Sequence, residues 1–266
     1  MLRTLTLAFA LLASTAQAQS LAGGRYVSMG SSYAAGLGVP PYQDGAPARC
    51  TRSTRNYASQ LAARRGLDLV DVGCSGARTS AILQPWGELP AQIDAVTADT
   101  ALVTVTIGGN DIGLVGGLYG ASCRQRGETS CAPATTPTEA DYAALKTAMA
   151  SVVAAIRERA PKARIVLVEY PAILPPQGAC AATPLTEADA DAARTKAARL
   201  LSITREAAAA GGASVIAAAE FSRGHDACAV EPWMNGYPAP PGGAPYHPNL
   251  AAMTAIAEAL DAALPR

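Results

Sequence analysis

Five short apolar runs punctuate the chain, at residues 25–29, 67–72, 102–107, 165–169 and 214–217, each mostly β-branched and of strand length. Between successive runs lies enough chain for a crossover helix, and this spacing predicts a parallel sheet with helices on both faces. Apolar positions at helical period mark three of those helices. Residues 139–160 stop before Pro161, residues 187–210 stop at Gly211-Gly212, and residues 249–264 follow Pro248. Three segments follow neither period and are rich in Gly, Pro and Cys: 116–137, 171–184 and 229–248. Loops after the carboxyl ends of parallel strands form the ligand crevice, so these three are expected to wall one site.

Ahead of the first strand, Arg3 is followed by an apolar stretch through Leu12 and then by Ala16-Gln17-Ala18, the small-residue pattern of a signal-peptidase site. Residues 1–18 are therefore read as a signal peptide and 19–266 as a single domain, exported to the periplasm or the medium. An uncleaved anchor is the other reading of the same stretch, which is short for a membrane span. No later segment is long and apolar enough to cross a bilayer.

A hydrophobic content of 50% is ample for a core, and 21 Lys+Arg balance 21 Asp+Glu. That balance gives no basis for a nucleic-acid partner or an anionic membrane surface. Six cysteines form an even set of the kind that pairs outside the cytoplasm, with 15 connectivities open. No Cys-x-x-Cys supports a zinc site, and the two histidines stand far apart, so no metal is expected. Phosphate-loop and dinucleotide fingerprints are absent as well, since Gly36 and Gly38 run into Pro40-Pro41; no cofactor is expected.

Candidate chemistry sits at the ends of the strand runs. Ser32, in Gly30-Ser31-Ser32-Tyr33, follows the first run, where a hydroxyl faces the crevice; the same serines also suit a helix cap. Gly108-Gly109-Asn110-Asp111 follows the third run, and its amide side chain can donate to a developing oxyanion, although these residue types also build ordinary turns. Gly73-Cys74-Ser75-Gly76-Ala77-Arg78 follows the second and offers a backbone N–H, or simply a disulfide-anchored loop. A serine hydroxyl needs a neighbouring base, and only His225 and His247 are available. His247 precedes the last helix and is taken as the base, its unperturbed pKa placing the rise of the rate near about 6.5. His225, beside Asp226 and Cys228, reads as structural.

In this order the segments resemble the SGNH hydrolases, also called the GDSL lipase/esterase family, along nearly all of the chain beyond residue 18. Gly30 to Gly36 looks like the first block, Cys74 to Ala77 the second, Gly108 to Asp111 the third and His247-Pro248-Asn249 the last. The resemblance implies a flavodoxin-like three-layer α/β/α sandwich with a central parallel sheet of about five strands, and hydrolysis of carboxylic esters. It is nearest to the small secreted bacterial lipases and phospholipases with three disulfides, which implies sequential pairing of Cys50 with Cys74, Cys123 with Cys131 and Cys180 with Cys228. The implied roles are Ser32 as nucleophile, His247 as base, and an oxyanion hole from Ser32, Gly76 and Asn110, with Ser75 in place of Gly76 if the block shifts by one residue.

Two positions depart from the family pattern. Ser31 stands where an Asp usually precedes the nucleophile, and Ala244 stands where the triad acid is normally found, three residues before the histidine. A Ser-His dyad is therefore expected, its imidazole oriented by a backbone carbonyl of Gly243, Ala244 or Pro245, with Asp226 as the alternative acid. The expected substrate is a small-molecule or lipid ester, with acetylated polysaccharides also open, and Trp233 and Met234 are candidates for the acyl site. A monomer is expected. Acyl transfer to an alcohol would use the same site, and Ser31 and Ala244 keep a non-catalytic binding protein on this scaffold open.

Overall fold

The computed structural model describes residue 21 and residues 23–265; the expected signal peptide, residues 1–18, lies outside the described residues. Five strands, β1 (Arg25–Gly30), β2 (Asp68–Asp71), β3 (Thr100–Thr106), β4 (Arg164–Val168) and β5 (Ser214–Ile216), form one sheet in the order β2-β1-β3-β4-β5, with every pair parallel. This is the flavodoxin-like order that the resemblance implies. The direction of winding reverses between β1 and β3, and the crevice outside that point is where ligands bind in such sheets.

The helices are α1 (Ser32–Ala35), α2 (Tyr57–Arg65), α3 (Thr79–Leu83), α4 (Leu114–Gln125), α5 (Glu139–Arg159), α6 (Glu187–Ala210), α7 (Ala218–Phe221) and α8 (Leu250–Ala263). Strand alternation sorts them into two layers. Val27, Met29, Val103, Val105, Ile165 and Leu167 face one core, with Leu145, Met149 and Val153 of α5 and Leu200 and Ile203 of α6. Tyr26, Leu102, Val166 and Val168 face the other, with Tyr57 and Leu61 of α2 and Met253, Ile256 and Leu260 of α8. Both faces are covered, which is why the strand runs read as continuously apolar.

Segment 116–137, expected as loop, begins inside α4. Its glycines at 116, 117 and 120 hide the period that Leu114, Leu118 and Ala121 keep on the buried side. At Gly120 a Cβ would stand 2.5 Å from the Ala132 carbonyl oxygen, so the missing side chain is what lets the following loop fold back on the helix. That loop is tied by Cys123–Cys131, and Cys50–Cys74 and Cys180–Cys228 complete the sequential pairing, leaving no free cysteine among the described residues. No helix among the described residues is long and apolar enough to cross a membrane.

Candidate active site

The carboxyl edge of the sheet is a row of aligned strand ends. Gly30 pairs with Thr106, Ser31 N donates to Thr106 O at 2.9 Å, and Cys74 N donates to Gly30 O at 3.0 Å. Only glycine fits at position 30, with φ at 138° and a would-be Cβ 2.2 Å from the Thr106 carbonyl oxygen. Gln92 holds this residue from both sides, accepting from its N–H at 2.7 Å and donating to its carbonyl at 3.0 Å. Two residues beyond the row stand Ser32, at the first position of α1, and Gly76; Asn110 stands four beyond Thr106.

Over this edge the segment before α8 brings His247, whose Nε2 lies 2.8 Å from Ser32 Oγ. Its Nδ1 lies 2.8 Å from the carbonyl oxygen of Pro245. A carbonyl only accepts, so Nδ1 carries the proton and Nε2 is left as the acceptor facing the hydroxyl. Both residues are buried. Desolvation lowers the imidazole pKa to about 4, against a smaller upward pull from the Pro245 carbonyl, so the ring is neutral through the physiological range rather than titrating near 6.5.

Of the three carbonyls considered for orienting the imidazole, Pro245 is the one it meets. The Ala244 carbonyl accepts from His247 N and from Asn235 Nδ2 instead. Asp226 does not reach the ring; its carboxylate accepts from Cys228 N at 2.9 Å. His225 is turned elsewhere, stacked on Trp233 at 4.1 Å between centroids and bonded through Nδ1 to Glu231 O. Trp233 stacks on His225, and Met234 is buried in the core beside Pro248; neither is in the wall of the cavity of about 480 Å³ between α4, α6 and the loop after β4.

Three N–H groups were candidates for donation to an oxyanion. Gly76, at φ 84°, and Ser32 donate their backbone N–H to nothing among the described residues, whereas Ser75 N is bonded to Cys50 O at 3.2 Å. Asn110 Nδ2 donates to Ala77 O at 2.9 Å, which leaves its second amide hydrogen free. Asp111 next to it accepts from the backbone N–H and hydroxyl of Thr79, pinning the third-strand loop to the start of α3, and burial raises its carboxyl above the usual range.

The Ser31 hydroxyl is 2.9 Å from Tyr170 Oη, which also accepts from Gly109 N at 3.1 Å. Ser31, the residue before Ser32, is therefore fixed by a neutral hydroxyl pair, with burial pushing the Tyr170 phenol up to about 12. Two further side chains that hold the site went unnoticed in the sequence. Tyr33 packs on Tyr170 and His247, at 4.3 and 5.1 Å between centroids, and donates its hydroxyl to the carbonyl of Tyr246. Asn235 donates to His247 O through its N–H, to Ala244 O through its amide, and accepts from Tyr246 N. Adjacency to Ser32 was the available sign for Tyr33; Asn235 carried none. No group of three or more His, Cys, Asp or Glu side chains able to hold a metal ion occurs among the described residues.

The model of the GDSL-like lipase/acylhydrolase family matches residues 28–255. Lipase 2 of Streptomyces coelicolor is 35% identical over 257 residues, covering 88% of this chain and 83% of its own. Among solved structures, phospholipase A1 from Streptomyces albidoflavus superposes with a TM-score of 0.73 at 27% identity, over 91% of this chain and 99% of that one. The extracellular lipase of Streptomyces rimosus gives 0.73 at 29% identity, over 90% and 99%.

Proposed function

The chain belongs to the GDSL-like lipase/acylhydrolase family and is a carboxylic ester hydrolase; from that premise we propose that it works through an acyl-enzyme on Ser32 with His247 as its base. The observation that carries this reading is the 2.8 Å contact between His247 Nε2 and Ser32 Oγ, with Nδ1 held by Pro245 O. In this mechanism Ser32 Oγ attacks the ester carbonyl carbon as its proton passes to Nε2. The oxyanion of the tetrahedral intermediate accepts from the N–H groups of Ser32 and Gly76 and from the Asn110 amide. No carboxylate faces the imidazolium in this account. The Pro245 carbonyl fixes its tautomer, and the oxyanion a few ångströms away supplies the opposite charge. The proton on Nε2 then goes to the leaving alkoxide, and water repeats the sequence to release the acid.

The reading extends to setting. Three disulfides favour an oxidising compartment, and the similarity to an extracellular lipase supports export with residues 1–18 removed. The reading takes residues 19–266 as a single domain acting on a small-molecule or lipid ester, with a monomer as its expected state in solution.

Hydrolysis of p-nitrophenyl esters by wild type, Ser32→Ala, His247→Ala and His225→Ala tests the dyad. Turnover is expected to vanish in the first two variants and to persist in the third. Persistence in Ser32→Ala would end the assignment. N-terminal sequencing of exported protein is expected to begin at Gln19.

A further inference from the structure

The end of β1 is held differently on its two sides. Toward β3 the ladder runs to the strand's end and one residue past it, with Gly30 paired to Thr106 and Ser31 N donating to Thr106 O. Toward β2 it stops early. The last pair there is Ser28 with Asp71, two residues short of Gly30, and beyond it only Cys74 N reaches back, to Gly30 O at 3.0 Å. The buried Gly30 N–H faces this side with the strand already ended, and an unpaired donor at such depth is costly. A side chain fills the vacant place. Gln92 Oε1 accepts from Gly30 N at 2.7 Å while its Nε2 donates to Gly30 O at 3.0 Å, so one amide does what the peptide group of a continuing β2 would do.

Gln92 is itself fixed. It opens the 3-10 turn Gln92–Ala95 between the buried Ala91 and Ile93, and Arg25 Nη2 donates to Ala95 O at 3.1 Å, tying that turn to the start of the same strand. Gln92 is 6% exposed, and its side chain bonds nothing but Gly30. From Gly30 to Ser32 is two residues. The direction in which β1 ends therefore aims both the Ser32 hydroxyl, which meets His247 Nε2, and the Ser32 N–H. A misplacement of 1 Å at a reacting group costs on the order of a hundredfold in rate.

We propose that Gln92 is a positioning residue for the hydrolysis: it replaces the missing β2 partner of Gly30 and aims Ser32, and it does so only while its side chain both accepts from Gly30 N and donates to Gly30 O. The proposal rests on Ser32 as the nucleophile. Gln92 bonds neither Ser32 nor His247 and acts through the backbone of residues 30–32.

The test measures kcat and KM for p-nitrophenyl butyrate from about pH 5 to about pH 8 in wild type, Gln92→Met and Gln92→Glu, with near-UV circular dichroism at each pH. Gln92→Met keeps the length and loses both bonds; kcat is expected to fall about ten- to hundredfold at every pH, with KM within about twofold. In Gln92→Glu a protonated carboxyl accepts through its carbonyl oxygen and donates through its hydroxyl, whereas a carboxylate only accepts. Burial and the Gly30 carbonyl both favour the protonated form. The ratio of Gln92→Glu to wild-type kcat is therefore expected to lie within about threefold of one at the acid end and to fall about tenfold or more toward the alkaline end. Arg52 and Asp94 border the same cavity as Gln92, and Asp71 ends the neighbouring strand; all three are common to both enzymes, so the ratio removes their titration along with that of His247.

A ratio that stays constant with pH, a folded Gln92→Met with wild-type kcat, or an effect confined to KM would overturn the proposal. A fall in kcat that only follows loss of the near-UV signal would overturn it too, leaving Gln92 a support of the fold. If Gln92→Met does not fold, the pH dependence of Gln92→Glu decides. Ser32→Ala separates the two readings: loss of activity there with a constant Gln92→Glu ratio sinks the role of Gln92 alone, whereas survival of activity in Ser32→Ala sinks the acyl-enzyme and the role of Gln92 with it.

Discussion

Burial costs the imidazolium of His247 more than it costs the neutral ring, and this sets how the enzyme should respond to acid. With the pKa lowered to about 4, the base form is already present well below neutrality. The kcat/KM profile of the free enzyme is therefore expected to rise through about pH 4 and to be flat by pH 6; a midpoint at 6.5 would mean the histidine is solvated. The same shift acts on stability. Between about 4 and 6.5 the unfolded chain binds the proton that the folded one refuses, so stability rises with pH across that window and falls on acidification. The difference is on the order of 3 kcal/mol. Melting curves of wild type and His247→Gln from pH 4 to 7 check it, since only wild type should carry this contribution. Asn110 makes a second prediction. Asn110→Ala is expected to keep the fold and to lower kcat about a hundred- to thousandfold, and Asn110→Asp, which sets a negative charge against the oxyanion, to be at least as slow. Steady-state rates on one ester, with melting temperatures alongside, decide both.

At the scale of elements, the proposed Ser32–His247 dyad is a meeting of α1 with the segment before α8, and the residues next to Ser32 and His247 hold that meeting. Tyr33 follows Ser32, Tyr246 precedes His247, and the hydroxyl of the first donates to the carbonyl of the second. Tyr246 adopts φ 56°, a left-handed conformation costly for a bulky side chain, so its backbone needs such partners. Tyr33→Phe keeps the ring packed on His247 and removes only the donor, leaving a buried carbonyl unpaired. We expect kcat to fall about tenfold with KM unchanged, and a KM effect alone would show that the bond does not position the base. Elements of this kind explain what the sequence could and could not reveal. The strands were legible because residues such as Val103 and Val105 face one core while Leu102 faces the other, giving an unbroken apolar run. The helix α4 was not, because glycines at 116, 117 and 120 interrupt its apolar period, and of these Gly120 is the one that lets the 130s loop pack close. Which carbonyl orients His247 was undecidable among residues 243–245, since every residue type has one, and the choice follows from how Asn235 folds the turn. Likewise Gly76 and Ser75 part only because the N–H of Ser75 is bonded to Cys50 across a disulfide.

Across the whole molecule the three disulfides divide their work between holding the chain and holding the site. The bonds Cys123–Cys131, Cys50–Cys74 and Cys180–Cys228 span 8, 24 and 48 residues. Loop-closure entropy assigns them about 2.5, 3.5 and 4 kcal/mol. On that basis Cys180→Ala/Cys228→Ala should lower the melting temperature most. Activity should follow a different order. The carbonyl of Cys50 accepts from both the N–H and the hydroxyl of Ser75, and Cys74 N donates to Gly30 O, so this bond holds the loop that carries Gly76, the proposed oxyanion donor. Cys50→Ala/Cys74→Ala should therefore lose less stability but more kcat, about tenfold or more given what one misplaced oxyanion donor costs. Measuring kcat for both double variants at a temperature where each is folded separates the two effects, and equal kcat values would detach the Cys50–Cys74 bond from the chemistry.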